Sequence, residues 1–195
     1  MYKKFIKRLF DIILSLIGIL AFAIVLIPVS ILIYFEDKGS IFYKSKRVGR
    51  YGQIFDMYKF RSMKVDAPDI RLSDGSTYNS EDDPRLTRIG KIIRKTSIDE
   101  FPQFFNVLKG DMSIVGPRPD PPDWLEKYDD ETKIFLDVRP GITGYSQAYY
   151  RNSVDGYQKM KNDVYYALNY GAWLDLKIIL KTLINVIKRE NLYKN

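Results

Sequence analysis

The longest apolar stretch of the chain is a run of 24 uncharged residues from Ile12 to Phe35. Basic residues precede it, and Glu36 and Asp37 follow it. A helix of this length reaches about 36 Å, whereas the hydrocarbon core of a bilayer is about 30 Å thick. Secretory signal peptides have a shorter apolar region followed by a small-residue cleavage site, so the pattern favours a membrane-inserted helix that is retained.

Pro28 divides this predicted helix unevenly. Because proline lacks an amide hydrogen and its ring collides with the preceding turn, we expect a bend there. The residues from Ile12 to Ile27 reach about 24 Å, which is too short to cross a bilayer core. Two topologies are therefore open: a spanning helix with its basic N-terminus in the cytoplasm, or a broken helix that re-enters the cytoplasm. The apolar pattern by itself favours the spanning helix.

Shorter elements are predicted after this segment. β-Branched and aromatic residues at Ser40–Tyr43 and Ile54–Phe60, separated by the turn-prone Gly49–Gly52, predict a hairpin. Leu and Ile at positions 86, 89, 92 and 93 predict a short helix. Phe and Leu at 101, 104, 105 and 108 predict a second helix, which ends at Gly110. The fold class that follows is α+β and largely helical, with a minor β-hairpin.

The last periodic segment, Asp175–Arg189, is amphipathic. Its apolar face consists of Leu176, Ile179, Leu180, Leu183 and Ile187. Lysines lie beside this face, a pattern that suits a helix resting on an anionic membrane surface. A helix packed on a protein core has the same periodicity, so both interpretations are open. The predicted N-terminal anchor favours the membrane surface.

Composition removes several kinds of chemistry. The chain has neither Cys nor His, which excludes disulfides, thiolate zinc sites, cysteine nucleophiles and a Ser-His-Asp triad. Catalysis would have to rely on carboxylates, Lys, Arg, hydroxyl groups or a metal ion held by oxygen. The net charge is +7, from 31 Lys and Arg and 24 Asp and Glu. Because the two signs are interspersed and no recognition motif is present, nucleic acid is not an expected partner.

Two adjacent carboxylates, Asp99 and Glu100, follow a basic segment. A purely structural interpretation is a capping box formed by Ser97 and Glu100, and the spacing by itself favours it. Pro102 argues for a later helix start, with Asp99 as the N-cap residue. Asp99 would then project beside free helix amides, where a phosphate and an ionised carboxylate nucleophile could meet.

Two basic loops are further candidates for anion binding. In Gly116–Pro119, Pro117 and Pro119 restrict the backbone on both sides of Arg118, which suits bidentate capture of a phosphate or stacking on a planar ring. A rigid turn with a surface arginine is the structural alternative. The second loop combines glycines with polar side chains, namely Arg139, Gln147 and Arg151.

Five segments, taken in order, carry a family resemblance. They are KRLFD at Lys7–Asp11, YKFRSM at Tyr58–Met63, the 31-residue block Ile89–Pro119, VRPGITGYSQ at Val138–Gln147, and Asp163–Ile179. Together with the proline in the apolar helix, they make the chain resemble the small monotopic phosphoglycosyl transferases of the bacterial sugar transferase family. The length also matches members that consist of the catalytic core alone.

This resemblance implies a re-entrant helix over residues 1–36, bent at Pro28, and a catalytic domain over residues 37–195. The domain is expected at the cytoplasmic face of the bacterial plasma membrane, which reverses the preference for a spanning helix. The implied reaction transfers a sugar 1-phosphate from a UDP-sugar to polyprenyl (undecaprenyl) phosphate, with Mg²⁺, as the first membrane step of glycoconjugate biosynthesis. It proceeds through a covalent aspartyl intermediate and releases UMP. Homodimer formation is left open.

The resemblance also assigns roles to residues. It makes Asp99 the nucleophile and Glu100 its partner, with both carboxylates near the Mg²⁺. Arg94 is expected to contact phosphates and Arg118 the nucleotide. Further phosphate or sugar contacts are expected from Arg139, Gln147 and Arg151. The alternative from another class is a single-pass anchored basic module that binds anionic lipid or another polyanion, in which the two carboxylates only cap a helix.

Overall fold

The N-terminal apolar segment forms one long helix. The computed structural model describes residues 1–71, 78, 80, 82–150 and 154–188. Helix α1 covers Lys7–Asp37 and follows a π-helical turn over Tyr2–Ile6. The predicted apolar helix is therefore confirmed, and it continues as one helix through Pro28, where the expected bend stays a prediction. A proline inside a helix removes one backbone hydrogen bond, and packing of both halves of α1 on the same body offsets that loss.

One face of α1 packs against the rest of the chain. Its buried residues are Asp11, Ser15, Gly18, Phe22, Val29 and Ile33, a spacing of three, four or seven that marks a single helical stripe. Gly18 is required by this contact, because a Cβ atom there would lie 2.6 Å from the Phe104 ring. The opposite face is apolar and exposed, with Leu20 at 69% and Ile24 at 78% of their full accessibility.

The predicted hairpin is confirmed. Strand β1, Phe42–Val48, pairs antiparallel with β2, Ile54–Phe60, so that Phe42 faces Phe60 and Val48 faces Ile54. The first strand is longer than predicted and reaches the turn. Because side chains alternate along a strand, Lys59 points to the opposite face from Tyr58 and Phe60.

Both predicted central helices are also confirmed. Helix α2 covers Arg88–Lys95, and its first turn is capped by the Thr87 hydroxyl, which accepts from the Gly90 amide. Helix α3 covers Gln103–Lys109 and ends at Gly110, whose φ of 97° lies in the left-handed region that favours glycine.

A second two-stranded sheet was not predicted. Strand β3, Ser113–Val115, pairs in parallel with β4, Gly141–Thr143. The remaining helices are α4, Tyr145–Tyr149, α5, Gly156–Asn169, and α6, Ala172–Lys188, and 3-10 turns cover Ile98–Glu100, Pro122–Lys127 and Thr132–Asp137. The parallel pair brings the Gly116 loop against the Pro140 loop, and a Cβ atom on Gly141 would collide with the Gly116 amide.

The amphipathic helix α6 packs through its narrower, more polar face. Asp175, Ile178 and Asn185 are buried, whereas the apolar face is exposed, including Leu180 at 51% and Ile187 at 79%. A core helix would bury its apolar face, so the membrane-surface interpretation fits this arrangement better.

Candidate active site

The two adjacent carboxylates lie in a 3-10 turn between α2 and α3. Ser97, which precedes the turn, has a φ of 58° and makes no side-chain capping bond. The capping-box interpretation is therefore wrong. The N-cap position predicted for Asp99 is also wrong, because α3 begins only at Gln103. The Glu100 amide donates to the Ser97 carbonyl and the Phe101 amide donates to the Ile98 carbonyl, so these two amides are not free to bind a phosphate as the N-cap interpretation expected.

Glu100 forms hydrogen-bonded ion pairs with two cationic side chains. The Lys59 Nζ atom lies 2.7 Å from Glu100 Oε1, and Arg118 Nη2 lies 3.0 Å from the same oxygen. Lys59 Nζ is also 3.9 Å from Asp99 Oδ2. Within the described part of the chain, the Asp99 carboxylate accepts no hydrogen bond. Glu100 is therefore bound by two cations, whereas Asp99, 6% exposed, keeps its oxygens available.

This arrangement separates the pKa values of the two carboxyl groups. Burial, the largest cause, raises the pKa of Asp99 to about 6, with the Lys59 charge opposing the rise and the Glu100 charge adding to it. Burial acts on Glu100 as well, but the charges of Lys59 and Arg118 outweigh it and hold the pKa of Glu100 well below its usual range. The sequence predicted an ionised Asp99. At neutral pH it is mostly ionised, although its pKa is raised.

Arg94, which is predicted to contact phosphates, lies near enough for its charge to act on Asp99. Its Nε atom donates to the Ser62 hydroxyl at 2.9 Å, and its charge lowers the pKa of Asp99 against the effect of burial. The predicted phosphate-contacting arginine therefore approaches the carboxylates from α2, while Lys59 approaches from β2 and Arg118 from the loop after β3.

The loop that carries Arg118 contacts helix α5 through Lys159. Pro117 and Pro119 are buried and Arg118 is exposed, so the loop presents its guanidinium outward. On α5, Lys159 Nζ lies 2.8 Å from Asp120 Oδ2, 3.1 Å from Asp163 Oδ2 and 3.4 Å from the Arg118 carbonyl oxygen. Burial raises the pKa of Asp163 to about 6, against the opposing Lys159 charge. Lys159 thus ties the loop to α5.

Of the remaining predicted contacts, Arg139 and Gln147 fall within the described residues, and neither forms a hydrogen bond or an ion pair with the two carboxylates there. Arg139 donates from Nε to the Gly110 carbonyl at 2.8 Å and so lies at the C-terminal end of α3, away from the turn that holds Asp99. Gln147 lies beside Gly144, and its amide atoms are buried without a hydrogen-bond partner among the described residues. Arg151 lies outside the described residues.

The most important residue without a predicted role is Lys59. It belongs to the YKFRSM segment, and strand alternation could have separated it from Tyr58 and Phe60. Its target could not be read from the sequence, because Glu100 is 41 residues away. Lys159 and Asp163 were likewise missed, since their periodic positions on α5 resemble an ordinary helical ion pair.

The described residues contain no group of three or more metal-ligating side chains. They do fit Mg²⁺ in the manner it usually binds phosphate substrates, through one or two carboxylates, several waters and substrate oxygens. Asp99 and Glu100 supply two adjacent carboxylates. Glu100 binds its cations through Oε1, and its other oxygen accepts no hydrogen bond from the described residues.

Comparison with known sequences identifies the class of protein. The family model described as bacterial sugar transferase matches residues 2–189. The chain belongs to this family.

Individual relatives cover this chain almost completely. The galactosyl transferase CpsE of Streptococcus agalactiae is 48% identical over 185 residues, which are 91% of this chain and 41% of that protein. The undecaprenyl-phosphate galactose phosphotransferase of Salmonella typhimurium is 39% identical over 97% of this chain and 42% of its own length. The uncharacterized sugar transferase EpsL of Bacillus subtilis is 38% identical over 96% of this chain and 90% of its own length. The chain thus spans less than half of the first two relatives and nearly all of the third.

Proposed function

We propose that this protein transfers a sugar 1-phosphate from a UDP-sugar to polyprenyl (undecaprenyl) phosphate through a covalent intermediate on Asp99, with release of UMP. The observation that carries the proposal is the asymmetric carboxylate pair: Lys59 and Arg118 donate hydrogen bonds to Glu100, whereas the Asp99 carboxylate accepts none from the described residues and has Lys59 at 3.9 Å. The names of relatives such as the Salmonella phosphotransferase support the choice of a lipid-linked phosphate as acceptor.

In the first step, an Asp99 carboxylate oxygen attacks the phosphorus that bears the sugar. The bond from that phosphorus to the UMP oxygen breaks, and UMP leaves with the electron pair. In the second step, a phosphate oxygen of the acceptor attacks the same phosphorus, the acyl phosphate bond breaks, and Asp99 is released as a carboxylate. The nucleophile needs no general base, because its pKa of about 6 leaves it mostly ionised at neutral pH.

The cations around the pair have distinct tasks in this scheme. Arg118 and Arg94 approach from different elements and can neutralise the diphosphate as charge moves to the leaving UMP. Lys59 keeps Glu100 ionised and lowers the cost of the two adjacent negative charges. The buried Gln147 amide has unused hydrogen-bonding capacity that a nucleotide or sugar could take up.

Mg²⁺ held by Asp99 and Glu100 would add a divalent charge against the diphosphate oxygens. The pair lies within 4 Å of Lys59, so the protein already offers positive charge on one side. The carboxylates supply the negative charge that a hard cation requires.

We place the catalytic body on the cytoplasmic face, as the family resemblance implies. The polar contacts of α1 support one part of this placement, namely that both ends of α1 lie on the same side of the membrane. Near its start, Lys7 pairs with Asp175 of α6 at 2.7 Å. At its other end, Asp37 pairs with Arg61, next to β2. The same body therefore contacts both ends of α1. A helix crossing the bilayer would draw these polar groups through the hydrocarbon, which is strongly unfavourable.

The covalent intermediate is tested by intact-protein mass spectrometry with the UDP-sugar and Mg²⁺ in the absence of acceptor. The parent protein should gain the mass of one phosphosugar and release UMP. Asp99→Asn should do neither while it still binds membranes, because an amide is a poor nucleophile. Asp56→Asn, on the exposed part of the hairpin, is the matched control and should behave as the parent does. Product formation by the parent without any adduct would contradict the proposal and support direct transfer.

The placement of α1 is tested with single cysteines, since the chain has none of its own. Lys4→Cys, before α1, and Asp130→Cys, on the catalytic body, should both react with an impermeant maleimide only from the cytoplasmic side. Labelling of the two positions from opposite sides would refute the re-entrant placement and restore a spanning helix.

A further inference from the structure

An open apolar cleft of about 620 Å³ lies between α1, the hairpin and α3. Its apolar lining comes from Phe22 and Leu26 of α1, Phe42 of β1, and Pro102, Phe105 and Leu108 beside or on α3. Several of these side chains are substantially exposed, including Phe42 at 42%, Phe105 at 39% and Leu108 at 37%. Such a surface is costly in water and is suited to an apolar ligand.

Charge at the cleft is confined to two lysines. Lys44 and Lys109 both lie over the ring of Tyr58, with Nζ at 5.6 Å and 5.5 Å from its centre. Lysine and tyrosine side chains with apolar stems and polar tips characteristically mark the depth of lipid headgroups. Lys109 Nζ also lies 3.2 Å from Asp111 Oδ2, so the positive charge at the margin comes chiefly from Lys44. The cleft therefore combines an apolar interior with a positive charge at its margin, which complements a lipid that carries an anionic head.

The cleft also adjoins the carboxylate pair. Pro102, which lines it, follows Glu100 by two residues and stands at the start of α3. The lining side chains then follow α3 to Lys109, a distance of about 10 Å along the helix. A chain that starts near Pro102 can pass over Phe105 to the α1 residues Phe22 and Leu26, whose helix has an exposed apolar face toward lipid.

We propose that this cleft receives the prenyl chain of the polyprenyl phosphate acceptor, with the isoprene units that follow the first two lying against Phe22 and Leu26, and that it thereby makes the second step selective for prenyl chains longer than geranyl. The proposal rests on the proposed function, since it supplies the site for that acceptor. A bilayer phospholipid has a similar anionic head, but the continuity with Pro102 favours the lipid whose phosphate must reach Asp99. Because prenyl chains and lipid tails are similarly apolar, the cleft contributes position and selectivity more than transfer energy.

The test fills the cleft without touching the carboxylate pair. Leu26→Trp adds an indole inside the cleft, and Leu20→Trp makes the same change on the exposed face of α1, where Leu20 is 69% exposed. Three quantities are measured for each protein: phosphosugar adduct formation with donor alone, the KM for a long polyprenyl phosphate, and the KM for geranyl phosphate. The parent protein should prefer the long acceptor.

Leu26→Trp should form the adduct at the parent rate and show a KM for the long acceptor raised by about tenfold, with a smaller change for geranyl phosphate. Leu20→Trp should match the parent in all three measurements. An unchanged KM for both acceptors, or an equal rise in both KM values, overturns the cleft assignment. A second measurement places a photoreactive label on Leu108→Cys. If this label crosslinks a phospholipid that saturating polyprenyl phosphate does not displace, the cleft assignment is also overturned. These outcomes differ from a failure of the proposed covalent intermediate. In that case the parent protein would form product without any adduct, and the KM comparison would still test the cleft assignment.

Discussion

Replacing Lys59 by glutamine should raise the pKa of Asp99 and thereby slow its attack at neutral pH. Lys59 Nζ lies 3.9 Å from Asp99 Oδ2, and both side chains are largely buried. At an effective dielectric constant of about 20, two unit charges about 4 Å apart interact by about 4 kcal/mol, which is equivalent to about three pKa units. This is an upper limit, because Lys59 also binds Glu100 and because Arg94 and Arg118 remain. We therefore expect the pKa of Asp99 to rise by about one to two units.

The consequence is a shift in the pH dependence of adduct formation. With a pKa of about 6, Asp99 is about 90% ionised at neutral pH, and a rise of about one or two units leaves about half or one tenth ionised. Lys59→Gln should therefore slow adduct formation at neutral pH by about two- to tenfold and recover the parent rate at high pH. The assay uses donor alone, because the acceptor's own phosphate titrates near the same pH.

Two further variants distinguish the effect of the Lys59 charge from the effect of its side-chain shape. Lys59→Arg keeps a cation at this position and should leave the midpoint of the acid limb near that of the parent. Lys46→Gln removes a lysine of the same hairpin whose side chain is 72% exposed, and should change nothing. If Lys59→Gln lowers the plateau rate but leaves the midpoint in place, the electrostatic argument is refuted and Lys59 acts by positioning.

Two other predictions concern the attachment of α1. Asp175→Asn leaves Lys7, whose side chain is only 13% exposed, without its counter-charge, so we expect a loss of up to about 3–5 kcal/mol and a fall in Tm of up to about 6–20 °C in a fixed detergent. An unchanged Tm would show that this ion pair does not stabilise the packing of α1. Gly18→Ala places a Cβ atom 2.6 Å from the Phe104 ring and should destabilise the protein by about 1–3 kcal/mol, whereas Ala23→Val on the exposed face should be neutral. Equal thermal shifts for these last two variants would contradict the packing described for α1.

The elements that the sequence predicted correctly are those whose signals are local. The hairpin follows from strand-forming residues on both sides of Gly49–Gly52, and α3 from apolar spacing ended by Gly110. These signals depend on residues a few positions apart, so they can be recognised in the sequence without knowledge of the fold. Asp99 was singled out by the position of Pro102 and by the resemblance, and its role as the nucleophile stays a prediction. Local spacing alone favoured a capping box, which the structure rejects.

The errors arose where contacts join distant parts of the chain. The sequence allowed Glu100 to be a capping residue. The structure shows instead that Glu100 Oε1 accepts hydrogen bonds from Lys59, which is 41 residues away, and from Arg118. The phosphate or sugar contact expected of Arg139 stays a prediction, but its position at the end of α3, set by the parallel pairing of β3 with β4, could not be foreseen. That pairing joins two three-residue strands whose patterns are too short to recognise from sequence.

By itself, the sequence determined that the chain has an apolar helix long enough for a membrane, a helical body with a hairpin, and no histidine or cysteine chemistry, because composition and short-range periodicity carry this information. Only the tertiary structure decided that both ends of α1 meet the same body, that α6 shows its apolar face outward, and that one carboxylate of the pair is bound by cations while its neighbour keeps a raised pKa. Each of these outcomes depends on burial and on charges separated by tens of residues. Such quantities exist only once the chain is folded.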